Sequence, residues 1–170
     1  HLAECYLKLD KKQEALNAFR NASQMEYSAE IQKDAFLNYA RLSYEVGNAY
    51  EPVPQVITNY LKTYPNDEHQ EEMQTLLVDS YITSKNFAGA MKLLEENKNY
   101  ASKSVYQKVA YYRGIELFME VDYTAASDNF AKSLSSAEDM LFKARANYWK
   151  AEADYLSNRF DDAVKGYAAF

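Results

Sequence analysis

Residues 110–134 read AYYRGIELFMEVDYTAASDNFAKSL. A small residue, Ala126, stands four places before a large one, Phe130, with Tyr123 just ahead and Gly114 further upstream. The small-then-large pair recurs along the chain as Ala15/Phe19, Val53/Ile57, Ala90/Leu94 and Ala163/Tyr167, at successive spacings of 38, 37, 36 and 37 residues. Lys12, Tyr50, Phe87, Tyr123 and Phe160 form a second column. Ala3, Ala40, Val78, Gly114 and Ala151, all small or medium, form a third. Three columns in phase over five repeats mark a periodic architecture, in which each repeat is one supersecondary unit.

Apolar residues within each repeat recur at helical spacing, as in Ala15, Leu16, Phe19 and Ala22 or in Ala126, Phe130 and Leu134. The spacing predicts helices over 1–9, 11–24, 29–46, 52–64, 67–83, 86–97, 103–119, 122–135, 138–157 and 160–170. Asp10, Asp122 and Asn158 precede second helices, and Ser28, Asn66 and Ser136 precede first helices, all with side chains that accept bonds from free amides. Ser136 followed by Asp139 resembles a capping box. Strands find no support, because there is no sustained alternation and no Asn-Gly or Asp-Gly hairpin signal. The small columns have a packing reason: helices approach closely only where no large side chain intervenes. Ala40 and Gly114 are expected at the closest crossings, opposite Val53 and Ala126.

Composition agrees with a helical globular chain. Gly 4 and Pro 3 in 170 residues argue against collagen, linkers and disorder. A net charge of −6 disfavours a broad nucleic-acid surface or an anionic-membrane surface. No run approaches the roughly 18 apolar residues of a membrane span. With one cysteine, no intrachain disulfide and no Cys-based zinc site forms; Cys5 reads as a small core residue, and the compartment stays open, with a bacterial periplasm slightly favoured over the cytoplasm. Tyrosine is the oddity, 16 of it beside 8 Phe and 1 Trp.

The columns resemble the tetratricopeptide repeat (TPR) family, with Gly114, Tyr123, Ala126 and Phe130 the best-matched set and NYWKAEADYLSNRFDDAVKGYAAF close to it. The resemblance implies an all-α, right-handed α-α superhelix of about five helix-turn-helix repeats, near 1–24, 28–64, 66–98, 102–135 and 137–170, in one solenoid. The period near 37, the out-of-register Trp149 and the insert around Glu51-Pro52-Val53-Pro54 resemble irregular bacterial TPR scaffolds.

Enzyme motifs are absent: there is no GxGxxG, GxxxxGK, GxSxG or HExxH. His69 with Glu71 and Glu72 reads as a solvated helix start rather than a metal cluster, and Asp161–Asp162 and Glu95–Glu96 as cap or surface carboxylates. No cofactor and no metal is called for. The TPR resemblance implies that first helices line a concave groove for peptides or protein segments. Its expected lining is Leu37, Arg41 and Tyr44; Thr75, Asp79 and Ile82; Tyr111, Ile115 and Phe118; and Tyr148, Glu152 and Tyr155. Each triplet is spaced four then three, one helical stripe. For Tyr44, Tyr111, Tyr148 and Tyr155, groove lining and plain packing stand as equal readings. Some TPR domains clamp a C-terminal carboxylate with Lys, Arg and Asn; this face offers no such set.

The expected activity is therefore non-catalytic binding of a protein or peptide segment, with no nucleic acid and no direct membrane insertion. A structural spacer or self-association segment of a longer solenoid is one alternative, and a glycan-binding helical-repeat protein of a bacterial surface another. Ala3 corresponds to Ala40, whose helix begins near Ala29, so an equal run before Ala3 needs residues upstream of His1. The last helix ends in an apolar GYAAF, which is expected to expose Tyr167 and Phe170. Both ends fit an excerpt of a longer solenoid, or end-to-end association with another copy.

Overall fold

The computed structural model describes residues 1–136 and 138–169, and every element among them is helical. In chain order these are α1 (Leu2–Lys8), α2 (Lys12–Ser23), α3 (Ala29–Val46), α4 (Val53–Thr63), α5 (Gln70–Thr83), α6 (Phe87–Glu96), α7 (Lys103–Met119), α8 (Tyr123–Ser135), α9 (Met140–Leu156) and α10 (Phe160–Ala169). Most begin and end within two residues of their sequence-derived bounds. The exception is α5, which starts at Gln70 because Pro65 and Asn66 lie in a turn and Asp67 accepts a bond from the His69 amide. Phe170 lies outside the described residues. Two compact units form, residues 1–80 and the residues from Tyr81 onward.

Successive helices from α1 to α4 and from α6 to α10 fold back on one another. In the second unit Phe118 meets Tyr123 across the α7–α8 turn at 5.1 Å, and Tyr111 meets Phe130 further along at 5.9 Å, the pattern of an antiparallel hairpin. Four of the turns share one geometry. Asp10, Lys85, Val121 and Asn158 all have φ between 55° and 67°. Each donates its amide three residues back, and the next residue donates five back: Val121 to the Phe118 carbonyl at 3.1 Å and Asp122 to the Leu117 carbonyl at 2.9 Å, for example. This is the Schellman arrangement, which satisfies carbonyls left open at a helix end. None of the four left-handed residues is glycine, so Asp10 and Asn158 are turn residues rather than the caps that the sequence suggests.

Other caps divide similarly. Ser28 and Asp122 cap α3 and α8 as expected, accepting bonds from Ile31 and Ala125. At α9 the cap is Asp139, which accepts from Leu141 and Phe142, while Ser136 ends α8. Buried Gln107 holds this link to α7: its amide group donates to the Asp139 carbonyl and its oxygen accepts from the Asp139 amide at 2.8 Å.

The small columns are buried. Ala15, Ala90, Ala126 and Ala163 each occupy the fourth position of a second helix, and all are buried. In α4 the fourth position is Val56, followed by Tyr60, and both are buried while Val53 is only half-buried. The second repeat therefore uses Val56/Tyr60 in place of Val53/Ile57. The longer α3–α4 loop shifts the register. Asn48 organises that loop, donating to Tyr39 Oη at 2.8 Å and Ser43 Oγ at 2.9 Å and accepting from the amides of Tyr50 and Glu51. Gly114 is likewise opposed by Phe130 rather than Ala126: a Cβ there would lie 2.6 Å from Phe130 Cε1. Cys5 is exposed, not in the core, because α1 has only two turns and packs on α2 through Ala3.

Charged groups join neighbouring repeats. In the first unit, buried Asp67 pairs with Lys33 of α3 and accepts from Tyr60 Oη at 2.7 Å. In the second, Asp154, 1% exposed, accepts from Ser127 Oγ of α8 at 2.6 Å and pairs with Lys150 and Arg159 at 2.7 and 2.8 Å. Burial alone raises the Asp67 pKa, but Lys33, the Tyr60 hydroxyl and the His69 amide outweigh it and hold the group far below the usual carboxylate range.

Three outcomes follow for stability. Gly114→Leu is expected to cost about 2–4 kcal/mol in a denaturant melt, because the added side chain must displace the buried Phe130 ring; a change below about 0.5 kcal/mol would mean the site tolerates volume. Val121→Gly is expected to stabilise by about 1 kcal/mol, since a β-branched residue is strained at φ 67°. Asp67 has a depressed folded pKa, so its contribution is present above the unfolded value and is lost as pH falls. Stability should decline between about pH 5 and 2. Asp67→Asn should lower stability at neutral pH by about 2 kcal/mol and flatten part of that acid limb. An unchanged acid limb in the variant would place the acid sensitivity elsewhere.

Candidate functional site

The stripes on the first helices fall into three environments. On α3, Leu37 is buried and Tyr44 half-buried. Arg41 is engaged by a fork: its Nε and Nη2 each donate to the Glu72 carboxylate of α5 at 2.6 Å. Two parallel charge-assisted bonds fix the guanidinium in orientation as well as position. Arg41 holds Glu72 below its ordinary pKa. His69 Nδ1 lies 3.3 Å from Arg41 Nη2 and 3.3 Å from Glu72, so this histidine belongs to the ion-pair cluster. On α5, Thr75 is exposed with its hydroxyl donated to the Glu71 carbonyl, and Asp79 is half-buried, as is Ile82. Among the described residues, no three His, Cys, Asp or Glu side chains cluster with metal-binding geometry, and no helix is long and apolar enough to cross a membrane.

The α7 stripe turns inward. Tyr111 is 7% exposed and packs edge-on against Phe142 of α9 at 5.2 Å. Phe118 packs edge-on against Trp149 of α9 at 5.1 Å, and Ile115 lies against the same core. For Tyr111, packing is thus the operative role. The same holds for Leu37, and neither offers an open surface.

The α9 stripe turns outward. Tyr148 and Tyr155 are 37% and 53% exposed. Glu152 stands between them and accepts a bond from Tyr167 Oη of α10 at 2.8 Å. Tyr148 and Tyr167 rings meet at 6.4 Å, and Tyr155 and Phe160 rings at 5.6 Å. The Tyr167 phenol is pushed up to about 12, first by burial and then by its bond to Glu152. Glu152 also raises the Tyr148 phenol. A surface with aromatic area, three phenol groups and one carboxylate suits wet recognition. Phe160 and Tyr167 join this surface although the sequence pattern puts them in packing columns. Tyr167 is 40% exposed, in line with the expectation for the last helix, and Phe160, for which no exposure was expected, is exposed too.

A second surface lies in the first unit. A cleft of about 690 Å3 opens between α1, α2 and the start of α3, floored by apolar side chains.

No protein-family model matches the chain. No curated protein matches it in sequence. Similar solved structures exist. MamA AMB-1 aligns at a TM-score of 0.50 with 16% identity over 98% of this chain and 84% of that one. A point mutant of MamA aligns at 0.50 with 16% identity over 98% and 85%. These likenesses are of fold, and the fold they share with this chain is an all-α, TPR-like helical repeat.

Proposed function

We propose that the chain is a non-catalytic helical-repeat scaffold of TPR type that binds a protein or peptide segment through side chains of its first helices. The observation that carries this reading is the open α9 stripe, where Tyr148, Glu152 and Tyr155 stand together with Tyr167. In the same helical position on α7, the aromatic residues are covered by α9; on α9, Tyr148 and Tyr155 are 37% and 53% exposed beside the half-buried Glu152. Tyrosine adds contact area at low conformational cost, because it has only two side-chain torsions. Arg41, Tyr44 and Thr75 are the accessible members of the expected lining in the first unit, with Arg41 pre-oriented by Glu72. The TPR-like fold supports the reading by supplying ordered rows of helices, not by naming a partner.

The test is selection of binders from a peptide display library on the intact chain, followed by measurement against Tyr148→Ala/Tyr155→Ala. Both side chains are exposed enough that the melting midpoint should hardly move. Affinity is expected to fall by about tenfold or more for the selected binders, as for aromatic anchors at other interfaces. If every selected peptide binds the double variant as well as the parent, this stripe is not the recognition surface. Retention of oligosaccharides on a glycan array, with no peptide selected, would instead favour sugar stacking on the same rings.

A further inference from the structure

We propose that a cavity in the second unit, between the end of α6, the start of α7 and the end of α8, binds a small aromatic carboxylate. No residue of the α9 stripe lines it, so it stands apart from the surface proposed above. The cavity holds about 400 Å3, within the usual range of small-ligand sites. It originates in a difference between two second helices. From the equivalent starts Phe87 and Tyr123, α6 spans 10 residues and α8 spans 13. Asn97 closes α6 early: its backbone amide and its side-chain Nδ2 both donate to the Leu93 carbonyl, at 2.9 and 3.0 Å. The last turn of α8 therefore runs past the end of α6, and the link over 97–102 bridges the gap without filling it. The walls are tied together. Ser133 Oγ of α8 donates to the Gln107 carbonyl of α7 at 2.9 Å, and Lys132 of α8 pairs with Glu95 of α6 at 2.5 Å.

The lining has an apolar part and a cationic part. Leu94, 1% exposed, and Ala101 supply the first. Tyr106 is half-buried in the wall, and among the described residues its ring meets no other aromatic ring and its hydroxyl no hydrogen-bond partner. Elsewhere the chain engages such rings: Tyr60 bonds to Asp67, and Tyr111 packs on Phe130 and Phe142. A phenol hydroxyl is a donor to any carboxylate that enters, and burial raises its pKa further. Glu95 is neutralised by Lys132, whereas Lys98 and Lys103, both exposed, have no carboxylate partner among the described residues. The lining therefore carries unbalanced positive charge in a chain of net charge −6. Lys103 also begins α7, where the macrodipole adds to the attraction for an anion. A ring suits the side formed by Leu94 and Tyr106, and a carboxylate suits two ammonium groups and a phenol. A neutral aromatic molecule would leave the lysines unused, and a bare anion would leave the apolar wall in water.

The test titrates phenylacetate into the intact, isotopically labelled chain and follows the amide resonances by NMR. Phenylacetamide, which has the ring without the charge, and acetate, which has the charge without the ring, are the controls. Phenylacetate should saturate with a Kd of about 1 mM or tighter, and each control should bind at least about tenfold more weakly. The largest shifts should fall around Leu94, Tyr106 and Ser135, which line the cavity. Lys98→Gln/Lys103→Gln should weaken phenylacetate about fivefold and remove most of its salt dependence. Both lysines are exposed, so the melting midpoint should stay in place. Tyr106→Phe, which keeps the ring, should weaken it about threefold. Equal binding of acetate would show mere attraction to surface lysines and would overturn the proposal. Equal binding of phenylacetamide would show an apolar gap without anion recognition and would overturn it as well. So would shifts centred on Tyr148 and Tyr155, or no saturation below about 10 mM. Peptide binding at α9 is read by its own variants and is untouched by any of these results.

Discussion

Two helices of a hairpin approach closely only if one of them gives up its side chain where they cross. In the α7–α8 hairpin that place is Gly114, and the space is taken by the ring of Phe130, which is wholly buried. Much of the second unit is arranged around that contact. Phe130 touches Tyr111, Tyr111 touches Phe142, and Phe142 begins the helix that covers the hairpin. An aromatic ring in a slot left by glycine thus links a local crossing to the stacking of the next repeat. Packed interiors have little slack, so a change at the crossing is felt through the whole cluster. The turn between the helices is equally constrained. Its two Schellman bonds leave three residues between helix end and helix start, which is what makes the return antiparallel.

The helices were legible because their apolar spacing is strong, and the small columns because a close crossing tolerates few residue types. The second repeat was not legible to the same degree. Val53 and Ile57 satisfy the small-then-large pattern as well as Val56 and Tyr60 do, and sequence alone has no rule for choosing between them. The choice is made by the loop, where Asn48 serves as donor to two hydroxyls and acceptor to two amides. Left-handed residues were hidden for a different reason. Glycine is the usual signal for positive φ, yet Asp10, Lys85, Val121 and Asn158 hold that conformation here because two backbone bonds reward it.

The candidate site shows where periodicity stops being informative. Tyr111 and Tyr148 occupy equivalent positions on α7 and α9, are the same residue type and belong to the same stripe. One is 7% exposed and the other 37%. Nothing about either residue differs; what differs is whether a helix lies over it. Conversely, Arg41 stands in the expected groove lining in sequence, and in the fold it is already forked to Glu72. Such a pair can still meet a ligand through the outer edge of the guanidinium, but it contributes to recognition as a fixed donor rather than a free charge.

Polar couplings between repeats do a job that the apolar columns do not. Apolar packing is tolerant of small slides, since a methyl group has no preferred direction. A buried carboxylate with several donors has one satisfactory placement. Asp154 sits at the end of α9 where the equivalent residue of α7 is Leu117, and it binds Ser127 of α8, Lys150 of its own helix and Arg159 of the following turn. Replacing leucine by aspartate gives up hydrophobic burial and incurs desolvation, which the three partners offset. The gain is registry: α8, α9 and the turn into α10 are set by a group that is costly to leave unpaired. That registry is what holds Tyr148, Glu152 and Tyr155 in line with Tyr167, because the stripe lies on the same helix as Asp154 and Tyr167 lies on the helix that the turn launches. Side chains on two helices keep their mutual placement only when the helices are fixed in rotation and translation together, and a directional buried charge supplies both.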